Sequence, residues 1–328
     1  MSLFSGLSSR LRGTPNEPEA PKTTTPPSLR PSRSSQTSMP PKVPVLPTSP
    51  SLADSISMAA TEDDGPNFHF PLPLPLPLWL SPIYAKHIVK GNFMTLSARP
   101  KVVEEAEWIA HQVVEHYRLL WNFVRVVIEK EQDGNTICNP STCPTMSAGK
   151  NHSYPWLNKR LEPTELPAHE YIALMQRWIS GKIDNVTIFP TDPSTVSYAP
   201  NSALVQDTLI KVTGADGWIG KRSGFPEDFS STCRTIFLQM FRVYSHLYWS
   251  HFVEPFYHLN LEKQLNSCFS HFLMTATALD MLQPDHLEPM QCLIDLWAAN
   301  GTFPPQSKAY SYANLKRGTY LMRLGGGR

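Results

Sequence analysis

VEEAEWIAHQVVEHYRLLWNFVRVV, from Val103 to Val127, is the stretch that decides the class of this chain. Within it Ala106, Ile109, Val113, Tyr117, Leu120, Val124 and Val127 recur at steps of three and four residues, the period of one helix face. Pro100 stands just before the run, and Glu104, Glu105 and Glu107 crowd its first turn. Carboxylates there complement the positive end of the helix dipole, so the spacing predicts a long helix with an acidic beginning.

The same period returns four more times. Pro167 opens a helix through Ile172, Met175 and Ile179 that ends near Gly181. Another carries Phe229, Cys233, Ile236, Met240, Val243 and Leu247 and has to stop or bend near Pro255, because proline cannot continue the hydrogen-bond ladder. A fourth runs from about Asn266 to Leu282, and a last one after Pro289 uses Met290, Leu293, Ile294 and Trp297. Strand-like alternation is scarce, so the class is all-α, a helical bundle with irregular connections.

Composition places the folded part. Eleven of the 32 prolines fall within the first 50 residues, and all eight tryptophans lie from Trp79 onward. Residues 1–65 offer too little apolar surface to offset ordering entropy and read as a disordered Ser/Pro-rich tail. Residues 66–82 include PLPLPLPL, Pro71 to Leu78, a polyproline lead-in expected to lie along the domain surface. Residues 83–300 form the helical domain, interrupted by a Pro/Ser/Thr-rich loop over 191–225, and 301–328 are a C-terminal extension.

The charge balance narrows the partners. A net charge of +1, from 29 basic and 28 acidic residues, leaves no basic field for nucleic acid. No apolar run is long enough to span a membrane. There is no export signal, and the odd cysteine count argues against a disulfide framework, so a cytoplasmic setting is expected.

Two pairs of residues could carry chemistry. Cys138 and Cys143 sit in ICNPSTCP, where Pro140 and Pro144 favour a loop. His246 and His251 lie about a hundred residues downstream in FRVYSHLYWSHF. Two thiolates and two imidazoles form a donor set for a closed tetrahedral zinc site. Five residues on an α-helix turn about 140°, so the two histidines share a face only if one occupies a distorted or terminal turn. His251 and His258, seven apart, are a rival pair, and buried cysteines and histidines without a metal are the plainer alternative.

The order TICNPSTCPTMSAG, LPAHEYI, QMFRVYSHLYWSHF and NSCFSHF, with VKGNF and EWIA upstream, resembles the Mob (Mps one binder)/phocein family of kinase activators. LWLSPIYAKHIVKGNF is most similar to the fungal subfamily that partners NDR-type kinases. The resemblance implies one structural zinc held by Cys138, Cys143, His246 and His251. It further implies a regulatory subunit, not an enzyme, that grips the basic N-terminal extension of an NDR-type AGC-family kinase in polarity, morphogenesis and cell separation. Growth tips, septa and the nucleus are the implied locations. Glu104, Glu105, Glu107 and Trp108 match the kinase-facing surface, with Gly91, Asn92 and Phe93 in the adjoining segment. A Mob protein of the mitotic-exit or LATS branch and a phocein-like scaffold of striatin–phosphatase assemblies are the alternatives.

The chain departs from the family in one pocket. Where some members bind phosphopeptides through three basic residues, this sequence has Leu238, Gln239 and Arg242, and a lone guanidinium is weak provision for a phosphate. Phe68-His69-Phe70-Pro71 is similar to a docking peptide that fungal NDR-type kinases recognise, although an extended entry into the domain reads the same way. Neither an HExxH helix nor a phosphate-binding glycine loop is present, and no small-molecule substrate is expected.

Overall fold

The computed structural model describes residues 70–88, 93–130, 134–158, 160–191 and 218–324. The readings made for the tail before residue 66, for Phe68, Gly91 and Asn92, and for most of the 191–225 loop lie outside the described residues. Among those described, eight α-helices carry the fold: α1 (Met94–Ser97), α2 (Glu105–Ile128), α3 (Ala168–Ile183), α4 (Phe229–His251), α5 (Glu262–Ala278), α6 (Gln291–Ala299), α7 (Lys308–Ser311) and α8 (Leu315–Leu324). Two small antiparallel hairpins, β1 (Ser147–Ala148) with β2 (His152–Ser153) and β3 (Trp156–Leu157) with β4 (Pro163–Thr164), fill the α2–α3 connection.

The apolar spacing of α2 buries Ala106, Ile109, Val113, Leu120, Val124 and Val127 against α4, so the sequence period and the packed face coincide. The centre is aromatic. Phe237, Phe241 and Tyr244 of α4 meet Phe269 and Phe272 of α5, and Trp297 of α6 closes on Phe269 with ring centroids 5.9 Å apart. Burial of each such ring contributes about 1.5–3 kcal/mol, which is how the helices are held without long-range backbone pairing.

Buried polar side chains fix the lead-in. Asn266, fully buried on α5, accepts from the Tyr248 hydroxyl and donates to the carbonyls of Tyr84 and Lys86 at 2.8 and 2.7 Å. The Trp297 indole N–H donates to the Ala85 carbonyl at 2.8 Å, and the Ile88 N–H donates to Ser267 at 2.9 Å. Each satisfies a backbone group that would otherwise be buried without a partner. Leu72, Leu76 and Leu78 of the proline-rich stretch pack on the core, and Trp79 and Leu80 are inside it.

The segment after residue 300, read from sequence as an extension, supplies α7 and α8, and α8 lies along α6. Gly318 allows the approach, since a Cβ there would stand 2.1 Å from the Asp295 carbonyl oxygen. The buried Asp295 carboxylate accepts from Arg317 and from the Asn314 N–H.

Candidate functional site

The Cys138–Cys143 loop is built by its own small polar residues. Asn139 Oδ1 accepts from the N–H groups of Ser141 and Thr142 at 2.8 and 3.1 Å, and its amide donates to the Thr136 carbonyl. Thr142 Oγ1 donates to the Ile137 carbonyl at 2.7 Å. The loop is then stapled at both ends, because the Cys138 N–H donates to Val127 of α2 and the Cys143 carbonyl accepts from Ala168 of α3. These local bonds turn both thiols inward toward α4.

Cys138, Cys143, His246 and His251 come together there, all buried, with their four ligand atoms within 4.8 Å of one another. The Cys138 Sγ to His246 Nε2 distance is 3.7 Å, and the Cys143 Sγ to His251 Nε2 distance is 3.5 Å. Bond lengths of about 2.3 Å to sulfur and about 2.0 Å to nitrogen at a tetrahedral centre put such edges at about 3.5 Å, so the donor set fits one ion. His246 Nδ1 lies 2.9 Å from the Ser147 carbonyl, and donation to it leaves the Nε2 lone pair for a metal. The hydrogen bond between the two thiols holds Cys143 below its ordinary value, which favours the thiolate a cation needs.

The 140° problem is solved at the helix end. His251 is the last residue of α4 and has left the helical backbone, with φ −129° and ψ 3°. The irregular turn Phe252–Tyr257 follows, containing Pro255, with Glu254 at φ −112° and ψ 106°. His258, the rival ligand, instead faces Glu254 at 3.5 Å. Four protein donors leave no position for a reacting water, so this arrangement can brace the fold but not hydrolyse a substrate.

The acidic turn lies at the other end of α2. Glu104, Glu105, Glu107 and Trp108 are all half-buried, and Val102 beside them is 82% exposed. The Trp108 ring lies 5.4 Å from that of His111. Carboxylates next to exposed apolar surface suit an amphipathic basic helix. Glu107 accepts from Ser223 Oγ at 3.0 Å, a link to the far side of the 191–225 loop that no sequence signal announced. Phe93, placed by the resemblance in the segment adjoining this surface, is turned inward. It is 4% exposed and stacks on His271 at 5.2 Å, so it supports the segment from beneath.

The Arg242 pocket is turned inward as well. Arg242 donates to the Tyr171 hydroxyl at 3.1 Å and rests 5.2 Å over the Tyr154 ring, while Tyr171 donates to Gln239. Burial pushes the Tyr154 hydroxyl up to about 12, against the opposing influence of Ser245 and the Arg242 charge. Phe70 packs 5.8 Å from Tyr320 of α8, and Pro71 is exposed.

A family model described as the Mob1/phocein family matches residues 85–213 and 217–290. "Maintenance of ploidy protein mob2" of Schizosaccharomyces pombe is 31% identical over 213 residues, covering 65% of this chain and 72% of that protein. "CBK1 kinase activator protein MOB2" of Candida albicans is 31% identical over 70% of this chain and 63% of its own length. Its namesake in Saccharomyces cerevisiae is 31% identical over 67% of this chain and 64% of its own length. The chain thus spans less than two thirds of both named kinase activators.

Proposed function

The chain belongs to the Mob1/phocein family, and from that premise we propose that it is a non-catalytic regulatory subunit, a coactivator, of an NDR-type AGC-family protein kinase. The observation that carries the reading is the acidic first turn of α2, Glu104, Glu105 and Glu107, presented beside exposed Val102. Such a surface attracts a basic helical extension and orders it on binding, and relatives that share this domain are named as kinase activators. Phe93 and His271 support the neighbouring backbone from below, which keeps the surface in shape before the partner arrives.

Zinc is the metal that suits the Cys138, Cys143, His246 and His251 donors, and its contribution is a tie between the loop following α2 and the end of α4. The residues around it do the positioning. Ser147 orients His246, and Val127 anchors Cys138 to the same helix that bears the glutamates.

The test is a titration of the full chain with the N-terminal extension of an NDR-type kinase, beside a Glu104→Lys/Glu105→Lys/Glu107→Lys variant of matched stability. Tight binding that weakens with salt and is lost in the variant is expected. A folded, metal-loaded chain that binds no such extension refutes the proposal.

A further inference from the structure

We infer that Ser223 positions Glu107 for the partner, which makes the far end of the 191–225 loop a wall of the acidic surface. The inference rests on the reading of Glu104, Glu105 and Glu107 as the partner-facing surface, and it names the residue that prepares one of the three.

The turn from Gly220 to Gly224 is fixed to two helices. Gly220 has φ +89°, and a Cβ there would stand 2.5 Å from the Ala106 Cβ, so its backbone lies directly on the first turn of α2. The N–H groups of Ser223 and Phe225 both donate to the Gly220 carbonyl, at 3.1 and 3.0 Å. The Trp218 indole N–H donates to the Phe225 carbonyl at 2.7 Å and closes the turn on itself. Phe225 is buried, with its ring 4.3 Å from that of Phe229, which roots the same turn in α4. The backbone that carries Ser223 is therefore held against α2 before any partner arrives.

That placement sends the hydroxyl to Glu107. Ser223 Oγ donates to Glu107 Oε1 at 3.0 Å, and Ser223 is only 7% exposed, so little water competes for the bond. A glutamate without such a bond samples several rotamers, and ordering it on docking subtracts from affinity. With Oε1 held by Ser223, that ordering is completed in folding. A carboxylate accepts at both oxygens, so Oε2 serves a basic side chain of the partner. Ser223 reaches the partner only through Glu107, which makes it a positioning residue.

The experiment titrates the full chain with the N-terminal extension of an NDR-type kinase, beside Ser223→Ala, Ser223→Thr, Glu107→Ala and Ser223→Ala/Glu107→Ala variants of it. Ser223→Ala is expected to weaken binding about three- to tenfold, the effect of ordering one glutamate side chain in the complex. Ser223→Thr, which keeps the hydroxyl, should restore the affinity. Once Glu107 is alanine, Ser223→Ala should cause no further loss. Should the Ser223→Ala chain not fold, Ser223→Cys, a weak donor of similar size, takes its place in both comparisons. Full affinity in the Ser223 variant, or the same loss with and without Glu107, overturns the positioning role. Undiminished binding by the triple-lysine variant at positions 104, 105 and 107 overturns the acidic surface itself, and the positioning role with it.

Discussion

Acid should destabilise this domain through two histidines packed against each other, one fully buried and one half-buried. His116 of α2 is fully buried, and neither ring nitrogen has a hydrogen-bond partner among the described residues. Its ring lies 4.7 Å from that of His271 on α5, with Phe237 and Phe272 around it. Burial, then the neighbouring His271 and His111, holds His116 well below the ordinary histidine value. Burial brings His271 down to about 4, against the opposing pull of Glu115. Unfolding returns both imidazoles to water, where they titrate near 6.5. The folded-state value is the lower one, so between pH 6.5 and 4 the unfolded chain binds the extra proton. Stability is therefore complete above pH 6.5 and is lost as pH falls toward 4. A gap of about two and a half pH units corresponds to about 3 kcal/mol for His271, of which about 2 kcal/mol is gone by pH 5. His116 adds to the loss in the same direction.

Urea unfolding of the wild type and of His271→Gln at pH 7 and pH 5 measures it. Protonation of the metal ligands affects both chains alike, so the difference between their pH dependences isolates the imidazole. The wild type should lose about 2 kcal/mol more than the variant between the two pH values. Equal losses in the two chains would refute the reasoning.

Metal removal should be equally legible: the purified chain is expected to hold about one zinc per molecule, and a strong chelator should lower Tm by about 10 °C or more, since structural zinc supplies about 10 kcal/mol of binding free energy. An unchanged melting curve on demonstrably metal-free protein would sink the bracing role. Gly149→Ala should cost about 1–3 kcal/mol in urea midpoint. The new Cβ would stand 2.8 Å from the Trp249 ring, which is held by its bond to Pro289 and by Trp79, and φ there is +69°. A variant as stable as wild type would show that the ring can yield. Because Arg242 is engaged by Tyr171 and Tyr154, a labelled phosphopeptide should show no micromolar binding by fluorescence polarisation. Binding that Arg242→Ala abolishes would contradict this.

Sequence alone determined five of the eight helices among the described residues, and the donor set. Helix hydrogen bonds are local, so the three- and four-residue steps between Val103 and Val127 were enough to find α2, and Pro255 was enough to place the end of α4. Cys, Cys, His and His name a metal site by chemistry, yet spacing left His258 in contention with His246. The choice was made by a backbone departure at His251, where φ reaches −129° and the last side chain swings back over the one five residues earlier. Tertiary structure also decided which residues face inward. The resemblance set Phe93 beside the acidic surface but said nothing of its burial, and it was α5 that brought His271 against its ring. Nothing near Glu107 indicated Ser223, more than a hundred residues away. Contacts of that kind depend on the phase and docking of whole helices, and the packing of many rings sets those quantities together, so no single stretch of sequence encodes them.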